Sequence, residues 1–112
     1  MPTQDDRIAL LQGALDLLIL RILSTGHEHG QGIARAIQQI SDEVLLVDHG
    51  SLYPALQRLE AKGWIAAAWG TSENNRRARF YAITATGRRH LSAEADNWAK
   101  TVAIVNRLLA TD

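Results

Sequence analysis

Apolar positions change their period along the chain, and each change marks an element. From Leu10 to Leu23 they recur at helical spacing. Leu11, Leu15, Leu18 and Ile22 form a stripe, which Leu10, Leu17, Ile19 and Leu20 widen. A helix apolar on most sides must be buried on most sides. One small domain offers little cover of that kind, so a partner chain is expected as a second neighbour. Ser24-Thr25-Gly26 ends the helix, with Gly26 suited to the left-handed C′ position. His29-Gly30-Gln31-Gly32 opens a second helix that runs to about Ile40. Ile33, Ile37 and Ile40 form its expected buried stripe, Ala34 and Ala36 are small packing surfaces, and Ser41-Asp42 closes it. Helix, short break, helix is the first half of a helix-turn-helix arrangement.

Glu43 to Val47 is too short and apolar for a helix and reads as an extended connector, expected to pair with a later hairpin. A third helix follows over Ser51 to Lys62. Ser51 is its N-cap, and Asp48 competes one turn earlier. Pro54 is tolerated in a first turn. Leu52, Leu56 and Leu59 face inward, Tyr53, Gln57, Arg58 and Lys62 lie on or beside the opposite face, and Gly63 is the stop. Trp64 to Trp69 reads as a strand. Its alanine run 66–68 would also suit a helix, but the flanking glycines and the partner segment Arg79 to Ile83 favour a hairpin with its tip at Ser72 to Arg77. Thr84 caps the last helix, which reaches about Leu109. Leu91, Ala95, Trp98, Val102, Val105 and Leu109 follow a heptad seam along it. About 25 residues span roughly 38 Å, more than a domain of this size covers, so the C-terminal half is expected to pack on another chain. The other reading is a helix packed on its own domain.

Composition narrows the classes. With 112 residues the chain is one domain. Residues 1–83 are expected to form a helix-turn-helix part with a wing, and 84–112 a dimerisation helix of the same compact unit. The fold expected is therefore mainly α with a small β wing. The absence of cysteine removes disulfides and thiol nucleophiles. The N-terminal stretch has neither a basic start nor an unbroken apolar run, so a cytoplasmic protein is expected, with no membrane partner. Net charge is zero, but residues 1–50 carry −4 and residues 51–112 carry +4. The positive charge gathers where a nucleic-acid surface would need it, although a solvated face would show the same local count.

Catalysis finds no support. His27-Glu28-His29 lacks the HExxH spacing and reads as capping and loop packing rather than a metal site. Gly30 and Gly32 open a helix, but Arg35 stands where a dinucleotide fingerprint needs a third glycine. Asp48 and His49 have no nucleophile or oxyanion site beside them. No cofactor is implied, and the chain does not read as an enzyme.

The third helix is a better candidate. A major groove admits one helix, whose N-terminal residues reach the bases. Ser51, Tyr53, Gln57, Arg58 and Lys62 hydrogen-bond bases or phosphates, unless they are merely solvent-facing. Arg76, Arg77 and Arg79 at a hairpin tip suit phosphates or the minor groove, and Asn74-Asn75 supplies the turn.

The strings LDLLILRIL, HGxxIARxIQ, GSLYPALQRLExKGWI, SENNRRARFYxIT and TGRRxL resemble the PadR family of bacterial transcriptional regulators over about residues 10 to 110. The single short last helix is similar to the family's short-C-terminal branch. The resemblance implies a winged helix-turn-helix repressor that binds double-stranded DNA as a homodimer, built from the last helix together with the first. Leu11, Leu15 and Leu18 would join the heptad positions in that contact. Ser51, Tyr53, Pro54 and Leu56 match the recognition-helix motif, and Arg76, Arg77 and Arg79 the wing; Asn75 beside them is a further candidate for DNA contact. Gln31 departs from the pattern, since many relatives carry an aromatic residue after His-Gly; this bears on local packing rather than on the fold. Short members look to use a tryptophan on the last helix to stack flat aromatic compounds at the dimer interface. Trp98 lies at the matching place, so an aromatic effector stands beside the plainer role of interface anchor. A winged helix that binds protein instead of DNA is the remaining reading. Three wing arginines on each of two protomers give about 6 phosphate contacts and a salt slope of roughly −5.

Overall fold

The computed structural model describes residues 8–9 and 12–111. In chain order its elements are β1 (Ile8–Ala9), α1 (Gln12–Leu23), β2 (Glu28–His29), α2 (Gly30–Ile40), β3 (Leu45–Leu46), α3 (His49–Ala61), β4 (Ile65–Thr71), β5 (Arg77–Ile83) and α4 (Ala85–Leu109). Leu10 and Leu11 lie outside the described residues.

Three helices close one core. Leu15, Ile19, Leu20 and Leu23 of α1 meet Ile33 and Ile37 of α2, Leu52, Ala55, Leu56 and Leu59 of α3, and Ile65 and Tyr81 of the hairpin. The buried face of α1 therefore runs 15-19-20-23. Leu18 and Ile22, expected on the main stripe, are only partly buried at its margin. Leu15, expected at a dimer contact, is 3% exposed inside its own chain. The reason is that α1 packs on α2, α3, α4 and β5 at once, so neighbours on several sides select the face. Ile40 departs further. It lies in the last turn of α2 and is 76% exposed. The helix stops there, and the chain reverses through Asp42 and Glu43 at φ 53° and 68°, leaving that turn uncovered.

The helix ends follow their chemistry. Ser24 and Thr25 hydroxyls donate to the carbonyls of Arg21 and Ile22, finishing α1. Gly26 follows at φ 154°, a positive value but not the left-handed helical one expected. α3 starts earlier than Ser51. The Ser51 N–H donates to Asp48 Oδ1 at 2.7 Å, so Asp48 is the N-cap and Ser51 lies inside the helix. Pro54 then falls beyond the first turn and withholds the N–H that the Gly50 carbonyl would accept. Both residues are exposed, so the missing bond lies on the solvent side of the helix. At the other end Gly63 takes φ 77°. Its N–H donates to the Glu60 carbonyl and the Trp64 N–H to the Leu59 carbonyl, the paired bonds of a Schellman ending.

The hairpin β4–β5 is antiparallel, with Ile65 opposite Ile83 and Thr71 opposite Arg77. Its third strand is not the Glu43–Val47 segment. β2 fills that place, with His29 opposite Phe80, whereas β3 pairs in parallel with β1. The link between α1 and α2 runs along β5, so that edge of the sheet is already taken.

Thr84 joins the two parts of the chain. Its Oγ1 accepts from the Gly87 N–H, capping α4, and donates to the Gly63 carbonyl at 2.7 Å. Past Leu91, which still packs on the core, every described residue of α4 is exposed.

Candidate nucleic-acid interface

One face of the hairpin changes character along its length. Strand alternation puts Ile65, Ala67, Trp69 and Thr71 on the side of Ile83, Tyr81, Arg79 and Arg77. Near the base this face holds Ile65 and Tyr81 in the core. Further out, past the edge of the helices, Trp69, Arg77 and Arg79 take their places, and Trp69 is 60% exposed. The Arg77 guanidinium lies 4.6 Å over the Trp69 ring. Arg79 Nη2 donates to Glu60 Oε2 at 2.9 Å.

Across from these side chains lies the outer face of α3. Tyr53 and Gln57, one turn apart, are exposed. The Tyr53 ring rests on Gly30 at the start of α2, where a Cβ would come within 3.0 Å of its Cε1 and Oη. The missing side chain is what lets Tyr53 bridge the two helices. Its other neighbour is His49, edge-on at 5.6 Å. Between helices and wing runs an open groove of about 460 Å³, lined among others by Gln31, Tyr53, Gln57, Trp69, Arg77 and Arg79.

Of the residues singled out by sequence, this groove brings together Tyr53, Gln57, Arg77 and Arg79. Ser51 is exposed on the first turns of α3. The wing turn is tighter than expected. The Ser72 N–H donates to the Arg76 carbonyl and the Asn75 N–H to the Ser72 carbonyl, with Asn75 at φ 58°. Asn75 and Arg76 therefore belong to the turn, while Arg77, expected in the tip, opens β5, and Arg79 lies in β5 as the strand reading had it. The three arginines do not crowd: Arg79 has Glu60, Arg77 has the face of Trp69, and Arg76 reaches solvent.

Two expected contacts point elsewhere. Arg58 Nη2 donates to Asp16 Oδ1 at 2.9 Å, and its Nε is buried without a partner. Arg58 thus faces α1, because it flanks the apolar stripe and α1 offers a carboxylate within reach. Lys62 sits at the C-cap with Nζ 4.6 Å over Trp64, whose ring stacks on His90 at 4.0 Å. It marks the junction with α4 rather than the groove.

Gln31 and Trp69 line the groove without having been sequence candidates, and neither was Glu60, the partner of Arg79 beside it. The hairpin register, read at period 2, would have put Trp69 opposite Arg79. Glu60 needed the rotation of α3 as well. His27-Glu28-His29 caps and packs as expected. The Gly32 N–H donates to His29 Nδ1 at 3.0 Å, and both histidines meet Phe80 edge-on. His29 Nε2 faces Glu73 of the wing turn at 3.1 Å. That hydrogen bond, then the residue's own amide, holds the Glu73 carboxyl below its ordinary value of 4.5. A lowered carboxyl contributes stability that is present above the ordinary value and is lost as pH falls through the lowered one.

The expected seam on α4 stands open. Trp98 is 49% exposed, Val102 38%, Val105 45% and Leu109 78%. Ala95 is exposed, and Leu91 turns back to the core. Among the described residues no helix is long and apolar enough to cross a membrane.

A family model described as the transcriptional regulator PadR-like family matches residues 19–93. An uncharacterised protein of Lysinibacillus sphaericus is 29% identical over 100 residues, covering 89% of this chain and 92% of its own length. Among solved structures, a transcriptional regulator from Clostridium thermocellum superposes with a TM-score of 0.79 at 30% identity, covering 86% of this chain and 93% of that one. A PadR-like transcriptional regulator from Bacillus cereus gives 0.76 at 26% identity, covering 91% and 97%.

Proposed function

The chain belongs to the PadR-like family of transcriptional regulators, and from that premise we propose that it represses transcription as a homodimer bound to an inverted repeat. Each protomer sets α3 in a major groove, with Tyr53 and Gln57 toward the bases and Ser51 at the entry. Arg76, Arg77 and Asn75 meet the flanking backbone. The observation that carries this reading is the groove itself, where the exposed face of α3 and the Arg77–Trp69 stack of the wing border one opening.

Arg79 already holds a carboxylate, so it positions the wing rather than neutralising phosphate. Among the described residues two arginines per wing have no carboxylate partner, which leaves about 4 phosphate contacts for a dimer and a salt slope near −4, shallower than three would give. Gel shifts with the chain's own upstream DNA across a salt series test this. The double variant Arg76→Ala/Arg77→Ala should weaken binding to all sequences and flatten the slope. Gln57→Ala should instead relax sequence preference. No binding by the unsubstituted chain at low salt would transfer the fold to a protein-binding role.

Residues 84–112 act in this reading as the dimerisation helix. Supporting it is the open apolar seam Trp98, Val102, Val105 and Leu109, which a second copy would cover. A second role follows from Trp98, half-exposed within that seam: stacking a flat aromatic effector between protomers. Such an effector acts only if it binds one dimer geometry better than another. Quenching of Trp98 fluorescence by planar aromatics, absent in Trp98→Ala, is the measurement.

A further inference from the structure

His29 is 7% exposed and N-caps α2. Its Nδ1 accepts from the Gly32 amide. An amide nitrogen can only donate there, so the ring proton sits on Nε2. Nε2 therefore donates to Glu73 Oε1 at 3.1 Å, across 44 residues of sequence. Arg35 of α2 stands 3.7 Å from the other oxygen of Glu73. Glu28 Oε2 accepts the His29 backbone N–H at 3.0 Å and lies 3.6 Å from Nε2. One buried imidazole thus spans from the first turn of α2 to the turn of the wing.

A glutamate in that turn is adverse on a surface meant for phosphates, because like charges repel at an interface. Its bond to His29 supplies a reason for its presence. Among the described residues, the only side-chain links from the turn to the helices are those of Glu73 to His29 and Arg35.

We propose that His29 and Glu73 are positioning residues of the DNA interface: the imidazole, fixed by its cap on α2, holds the wing turn so that Arg76 and Arg77 meet backbone while α3 occupies its groove. This rests on the reading that α3 and the wing bind DNA. A wing held in place before binding has less freedom to lose on binding, which strengthens the complex without adding a contact.

A charge-matched pair of variants tests it. Glu73→Gln keeps an acceptor for Nε2–H and removes the charge; Glu73→Ala removes both. His29→Asn keeps a capping oxygen on α2 but is too short to reach the wing. Two quantities are read: amide hydrogen exchange at Ser72 and Asn75 in the free protein, and affinity for the chain's own upstream DNA over a salt series. Glu73→Ala and His29→Asn should each speed exchange at both amides on the order of tenfold, as loss of one hydrogen bond does. Glu73→Gln should not. Glu73→Ala should bind DNA more weakly than Glu73→Gln by about the same factor, at every salt concentration and with an equal slope. The double variant His29→Asn/Glu73→Ala should be no weaker than the worse single one.

Unchanged exchange in Glu73→Ala overturns the link. Faster exchange with DNA affinity equal to that of Glu73→Gln overturns its positioning role. If removing the acid only strengthens binding, equally in the alanine and glutamine variants, Glu73 acts by charge alone. Failure of the DNA reading itself is distinguishable, since it appears as absent binding in the unsubstituted chain.

Discussion

α3 and the second half of α4 carry apolar stripes of similar regularity and meet opposite fates. In α3, Leu52, Ala55, Leu56 and Leu59 are at most 1% exposed. In α4, Trp98, Val102, Val105 and Leu109 are 38% exposed or more. Local pattern cannot account for the difference, because both stripes have helical period. Reach can. α3 is 13 residues long, and α1, α2 and β4 all pack on it. α4 is 25 residues long, and its first turns alone use up the available core. A stripe tells which side of a helix wants cover; only the geometry of the chain tells whether cover is at hand.

The sharpest break between the stripes comes from adding charge to the open one. Val102→Glu/Val105→Glu puts two carboxylates on each side of the proposed dimer contact, where an unpaired buried charge costs about 3–5 kcal/mol. Light scattering should read a monomer at concentrations where the unsubstituted chain is a dimer. The fold of the free chain should survive, since both sites are exposed in it. An unchanged mass would show that the seam meets no second copy.

The reciprocal substitution is Leu56→Ala in the closed stripe. Leu56 is 1% exposed, so the change should lower unfolding free energy by about 2–5 kcal/mol. Denaturant melts of the monomeric glutamate variant, with and without Leu56→Ala, isolate this loss from any contribution of dimerisation. A loss under about 1 kcal/mol, below the range for a filled core site, would mean that the α3 stripe is less closed than its exposure says.

How much of this was legible beforehand follows the same division. Elements with a period were legible: three core helices, a hairpin and a long last helix, in order. Ends and partners were not. Ser51 and Asp48 are equally good caps by type, and only the backbone chose Asp48. β2 has two residues, Glu28–His29, too few to show alternation, so the third strand leaves no periodic mark in the sequence. Arg58 borders the apolar stripe and its direction depended on Asp16 of another helix. In the candidate interface, Tyr53 and Gln57 were legible because one turn separates them on one helix. The Arg79–Glu60 pair and the His29–Glu73 link were not, because each joins elements whose relative placement no single segment encodes.

Between the stripes lies the joint that sets α4 against the domain, and it is tightly made. Gly87 is buried in the first turn of α4. A Cβ there would strike the Trp64 carbonyl, a backbone atom that cannot swing aside, and press on Ile83 Cγ1 at 2.9 Å. Gly87→Ala should cost about 1–3 kcal/mol, in the range for overpacking. It should also tilt α4, so DNA affinity in a dimer should fall by more than stability alone accounts for. Stability and affinity falling in step would confine Gly87 to packing.

The smallest effect concerns how the two helices begin. α3 is capped by Asp48 and α4 by Thr84, each accepting an N–H three residues on. Among the described residues the Asp48 side chain makes only that capping bond, whereas Thr84 also donates to the Gly63 carbonyl and so ties the end of α3 to the start of α4. Asp48→Ala should cost about 1 kcal/mol, the usual worth of a cap. Thr84→Ala should cost that plus about 1 kcal/mol for the second hydrogen bond. Ser51→Ala, inside the helix, should change stability by less than about 0.5 kcal/mol, as an exposed substitution away from such features does. Thermal melts of the three variants rank them. If Ser51→Ala proved the costlier of the α3 pair, the helix would begin a turn later in solution. Tyr53 and Gln57 would then sit nearer its N-terminus, at the end that enters the groove first.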